Sequence, residues 1–107
     1  MSDKPFGAEG APTETAEMRR LRRRIDAIDR KIVGLLNERA ELGREVGRAK
    51  ASAGRRTIRD AEREREVLLR VTMANTGPMP QADLLAVYRR LIAVARSLEA
   101  RDRSRPG

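Results

Sequence analysis

Arg39 interrupts an apolar seam. The series Leu21, Ile25, Ile28, Ile32, Leu35, Arg39, Leu42, Val46, Ala49 keeps a 4-3-4-3 spacing, the stripe of a helix that packs against other helices. On this pattern Leu35 and Leu42 are buried on either side of Arg39. A guanidinium buried in such a stripe without a partner costs several kcal/mol or more, on the order of the penalty for other buried charges. Either it snorkels to water or an anion comes in to meet it. Lys50 lies eleven residues further on, and eleven helical steps of about 100° bring it to within roughly 20° of the same direction. A second group of charges opens IRDAEREREVL, where Asp60, Arg63 and Glu64 share one helical face. A third is Glu99, seven residues after Ile92 and four after Ala95, close to the stripe Leu84, Tyr88, Leu91, Ala95, Leu98. Taken one at a time these are ordinary: stems snorkelling at a helix edge, or a solvated face held by ion pairs. Taken together they bring an excess of cations to one interior, which suits a small anion carrying carboxylates or phosphates, since Arg offers such groups two parallel hydrogen bonds. Arg22 is about 100° out of phase with Arg39 and suits a different site, such as one in a partner subunit.

Three helices are needed to hold these groups. Prolines occur at 5, 12, 78, 80 and 106, so nothing from 13 to 77 must break a helix. Residues 1–12, rich in Gly and Pro, read as a flexible tail. A first helix begins near Thr13 or Thr15 and has no clear stop before ASAG at 51–54. A second runs from the candidate cap Asp60 to Asn75 and is closed by TGPMP, and a third runs from about Gln81 to Arg101, leaving 102–107 as a second tail. No strand signal competes, so the fold class is all-α, with one domain over 13–101. A first helix of about 36 residues spans roughly 54 Å, whereas a compact chain of this length has a radius of gyration near 13 Å. Its seam should then be covered by a second copy, which predicts a two-fold homodimer.

Composition removes several chemistries. The 107 residues include no Cys and no His, so thiolate nucleophiles, Cys/His zinc sites and a Ser-His-Asp triad are absent. The net charge of +8 rests on 21 arginines and three lysines against 16 acids, which invites a nucleic-acid reading. One Tyr and one Phe leave almost no platform for stacked bases. Without a long apolar run or the plan of a signal peptide, the expected location is the cytoplasm.

The order of RRRIDAID, LLNERAEL, EVGRAK, IRDAERERE and VYRRLIAVARSLE resembles the all-helical AroQ class of chorismate mutases over about residues 18–100. The resemblance implies a three-helix chain whose long first helix is shared across an intertwined homodimer. It also implies the pericyclic rearrangement of chorismate to prephenate, on the way to phenylalanine and tyrosine, with no metal and no cofactor. Arg22 of the partner subunit and Arg39 would then bind the two carboxylates, with Arg63 adding positive potential. Lys50 would bind a carboxylate and donate to the ether oxygen. The backbone of Asp60 and the carboxylate of Glu64 would hold the ring hydroxyl, and Ile92, Ala95 and Glu99 would line the site. Ala95 departs from a Ser frequent in the family, and Glu99 from a Gln. An ionised Glu cannot donate a hydrogen bond, so Glu99 must carry a proton to help the ether oxygen. The loop between Lys50 and Asp60 is one residue longer than in many relatives.

Related enzymes of the same fold, isochorismate pyruvate lyases and 4-amino-4-deoxychorismate mutases, bind similar dianions, although RDAERE favours chorismate itself. A basic helical dimer binding nucleic acid is a further reading. Some small members of the class are activated in complex with 3-deoxy-arabino-heptulosonate 7-phosphate synthase, and EARDRSRPG is a candidate docking segment as well as a candidate tail.

Overall fold

The computed structural model describes residues 13–55 and 60–104. Its elements are α1 (Ala16–Ser52), α2 (Ala61–Ala74) and α3 (Gln81–Ser104), with no strand among the described residues. The expected tail at 1–12 and part of the loop between Lys50 and Asp60, residues 56–59, lie outside the described residues.

Each helix boundary has a local cause. Thr15 Oγ1 accepts from the Met18 amide at 3.1 Å, so α1 starts one residue after a threonine cap. At its far end Gly54 takes φ +78°, the left-handed conformation that stops a helix. Asp60 caps α2 by accepting from the Arg63 amide at 3.0 Å, and Asn75 closes it with its own N–H on Val71 O. The turn into α3 is tied by the Asn75 side-chain amide, which donates to Met79 O at 2.9 Å and Gln81 Oε1 at 2.8 Å, while Gln81 returns a bond to Thr72 O. α3 continues to Ser104, three residues beyond the expected end at Arg101. Asp102 is the reason: its carboxylate takes two hydrogen bonds from Arg44 of α1, which anchors the last turn.

The chain divides inside α1 into two units, Met1–Leu36 and Asn37–Gly107. In the first unit the apolar seam is open, with Ile25, Ile28 and Leu35 exposed to 54%, 53% and 62%. In the second, α2 and α3 form a hairpin and the C-terminal part of α1 runs along α3. The contact uses the face of Gly43 and Gly47. A Cβ on Gly43 would sit 3.8 Å from Ala95 Cβ, an ordinary contact, whereas one on Gly47 would sit 2.7 Å from Glu99 Cγ. The burial of Leu35 and Leu42 read from the seam is not found; both are exposed, because the helices meet on the glycine face, one residue round from the seam. Among the described residues the buried side chains are Ile92 and Glu99. Among the described residues no helix is long and apolar enough to cross a membrane.

Candidate active site

A cleft of about 340 Å³ opens in the second unit, and Arg39, Lys50, Asp60, Arg63, Glu64, Ile92, Ala95 and Glu99 all line it. Residues picked out from three separate stretches of sequence therefore meet around one space. Arg22 belongs to the first unit, where its Nε lies 3.4 Å from Glu14.

Arg39 reaches the cleft from α1 with its guanidinium 5.7 Å from the centre of the Tyr88 ring. Among the described residues no carboxylate lies within salt-bridge range of it. The ring face supports the cation and leaves its donors for a ligand. Lys50, further along the same helix, places Nζ 3.3 Å from Glu99 Oε2. This is the most enclosed charge pair described, with side-chain exposures of 12% and 9%. The absent side chain at Gly47 is what lets the Glu99 stem lie against α1.

From α2, Asp60 spends a carboxylate oxygen on its own helix cap. Arg63 stands at the rim, more than half exposed and paired with Glu66 one turn on. Glu64 points inward, its side chain 17% exposed, and accepts from Arg96 Nη1 at 2.7 Å. Arg96 escaped the sequence reading, although it lies four residues after Ile92 and three before Glu99 and so shares their face. That spacing was a usable signal. Ala95 presents a methyl group where a hydroxyl would have offered a donor.

The cleft thus combines Arg39, Lys50 and rim arginines with an apolar floor of Leu42, Val46, Val67 and Ile92. With Asp60, Glu64 and Glu99 also in the lining, the cleft sets cations and carboxylates beside apolar surface. Among the described residues no cluster of three His, Cys, Asp or Glu is placed to hold a metal ion.

The model of the chorismate mutase type II family matches residues 21–100. The chain belongs to that family. It is 40% identical over 87 residues to the bifunctional chorismate mutase/prephenate dehydratase of Aquifex aeolicus (strain VF5), covering 78% of this chain and 24% of that protein. With the bifunctional enzyme of the same description from Escherichia coli (strain K12) it shares 49% identity over 51 residues, 48% of this chain and 13% of the relative. The chain therefore spans a quarter or less of these bifunctional relatives. Among solved structures, chorismate mutase (form II) from Thermus thermophilus superposes with a TM-score of 0.74 and 32% identity, over 79% of this chain and 96% of that one. The all-helical fold expected from the sequence is the fold of this family member.

Proposed function

We propose that the chain is a chorismate mutase that converts chorismate to prephenate, acting as a homodimer in which Arg22 of the partner subunit completes each cleft. The observation that carries this reading is Arg39: a cation without a carboxylate partner among the described residues, facing a cleft with an apolar floor, in a member of this family. A substrate dianion supplies the missing partner.

The reaction is intramolecular. One ether C–O bond breaks as one C–C bond forms, and nothing enters or leaves, so the site needs neither nucleophile nor redox centre. It must hold the flexible dianion in its folded conformer and stabilise the negative charge growing on the ether oxygen. Arg39 and Arg22 of the partner subunit take the two carboxylates. Lys50 donates to the ether oxygen from inside the cleft. Glu64, oriented by Arg96, accepts from the ring hydroxyl, and Asp60 offers its backbone. Arg63, at the rim, adds attraction for the incoming anion.

Glu99 has a stricter role. Ionised, it holds the Lys50 ammonium and repels a developing oxyanion; protonated, it donates alongside Lys50. Glu99→Gln, uncharged and always able to donate through its amide N–H, is then expected to keep or raise kcat for chorismate, whereas Glu99→Ala lowers it. A kcat for Glu99→Gln as low as that for Glu99→Ala would remove this role.

The open seam supports the homodimer. Leu21, Ile25, Ile28, Ile32 and Leu35 expose large apolar surfaces along one stripe, and a second copy of the same stripe is the simplest cover. Incubating the purified protein separately with chorismate, isochorismate and 4-amino-4-deoxychorismate, with product identification, tests the activity. Prephenate from chorismate is expected. Turnover of another dianion alone would move the chain to a sibling activity. A nucleic-acid role instead predicts DNA or RNA affinity falling steeply with salt, to which Arg101→Ala matters as much as Arg39→Ala. Activation by 3-deoxy-arabino-heptulosonate 7-phosphate synthase is part of the proposal, and a rise in kcat on adding that synthase is its test.

A further inference from the structure

Behind Glu99 lies a second, smaller cleft of about 120 Å³, whose lining includes Arg44, Gly47, Arg48, Asp102 and Glu99 itself. Glu99 therefore forms a wall common to this cleft and the larger one. On α1 two cations, Arg44 and Lys50, lie on either side of Gly47. On α3 two carboxylates, Glu99 and Asp102, lie one turn apart. Only one of the two ways of matching them serves the larger cleft.

In the structure Lys50 takes Glu99, and Arg44 takes Asp102 through Nε at 2.9 Å to Oδ2 and a terminal nitrogen at 3.0 Å to Oδ1. This two-pronged geometry is the arrangement in which Arg outcompetes Lys for a carboxylate. The Arg44 guanidinium has its pKa raised above the ordinary value by the hydrogen bond it donates to Asp102 and then by that carboxylate's charge, with Glu41 adding a smaller contribution. Arg44 is two-thirds covered as a side chain, and its other carboxylate, Glu41 on its own helix, lies 3.6 Å away and half exposed, so loss of Asp102 leaves the charge with a single weaker partner and reduced access to water. Across the helix contact, the other carboxylate that lines the same cleft as Arg44 is Glu99.

We propose that Asp102 is a positioning residue for the site: by occupying Arg44 it keeps the Glu99 carboxyl on the Lys50 side, out of the second cleft. The inference rests on the proposed role of the larger cleft. It gives the charged pair at the far end of α3 a role beyond anchoring the last turn.

The test compares Asp102→Ala with the double variant Arg44→Met/Asp102→Leu. Removing Asp102 alone frees Arg44 to draw Glu99 away. Because Glu99 acts on the breaking bond, kcat for chorismate falls about tenfold while KM changes less than about threefold. The double variant removes the competing cation as well and recovers most of kcat. A pair that merely staples α1 to α3 would give two variants impaired alike, which would overturn the proposal, as would an unaltered kcat in Asp102→Ala. Crystal structures of both variants supply a readout independent of turnover: Glu99 is expected beside Arg44 in Asp102→Ala and beside Lys50 in the double variant. Glu99 remaining on Lys50 in Asp102→Ala would refute the inference even if chorismate is not the substrate. Wild-type protein inert toward chorismate, with Glu99 displaced in Asp102→Ala, would instead overturn the function and leave the positioning role standing.

Discussion

The two halves of α1 use one periodicity for different ends. From Leu21 to Leu35 the seam is wholly apolar and open, and its charges stand off the stripe. From Arg39 to Lys50 the stripe carries a cation. The face that meets α3 is made of Gly43 and Gly47, and a part-buried Lys50–Glu99 pair sits at its end. A regular apolar seam thus marks a surface that requires a cover. On the proposed function, the polar interruption marks where the cover is a ligand instead of protein.

The largest effect that sharpens this contrast is expected from Arg39→Ala. Loss of a positioned cation in a site of this kind lowers kcat/KM by about 10²–10³-fold, read as chorismate consumption, whereas an Ala at exposed Arg101 leaves it unaltered. Next is Ile28→Asp in the other half. It puts a charge in the seam and should convert the dimer to monomer in sedimentation, with activity lost alongside because Arg22 of the partner subunit leaves the site. A dimer that survives Ile28→Asp would break the comparison. Gly47→Ala follows. With its Cβ 2.7 Å from Glu99 Cγ, the Glu99 stem must shift, and we expect about tenfold loss of kcat with the fold retained by circular dichroism. The smallest effect is of opposite sign. Gly43→Ala adds a methyl group at ordinary contact distance from Ala95, so thermal unfolding should show a gain of about 1 kcal/mol from helix propensity.

Much of this was legible in the sequence. The cap Asp60, the stop at Asn75 and the long uninterrupted α1 follow from residue types with strong local preferences. So does the convergence of Arg39, Lys50, Glu64 and Glu99, because helical phase is arithmetic. What was not legible is which face of α1 meets α3. In sequence, Gly43 and Gly47 count only as weak points in a helix; their value lies in the close approach they permit, which depends on the opposing residue. Arg44–Asp102 was hidden for a similar reason, since a pair 58 positions apart leaves no local signal and Asp102 fell in a stretch expected to be a tail. The extra turn of α3 exists because of that pair.

The most direct test of the central claim uses two inactive proteins. Chains carrying Arg22→Ala and chains carrying Arg39→Ala are mixed, unfolded and refolded together, and prephenate formation is measured. If each cleft takes Arg39 from one subunit and Arg22 from the other, a mixed dimer contains one intact site and one doubly defective site. Random pairing then restores about a quarter of wild-type activity. A mixture as inactive as its two components, from chains shown to exchange, would contradict the shared site.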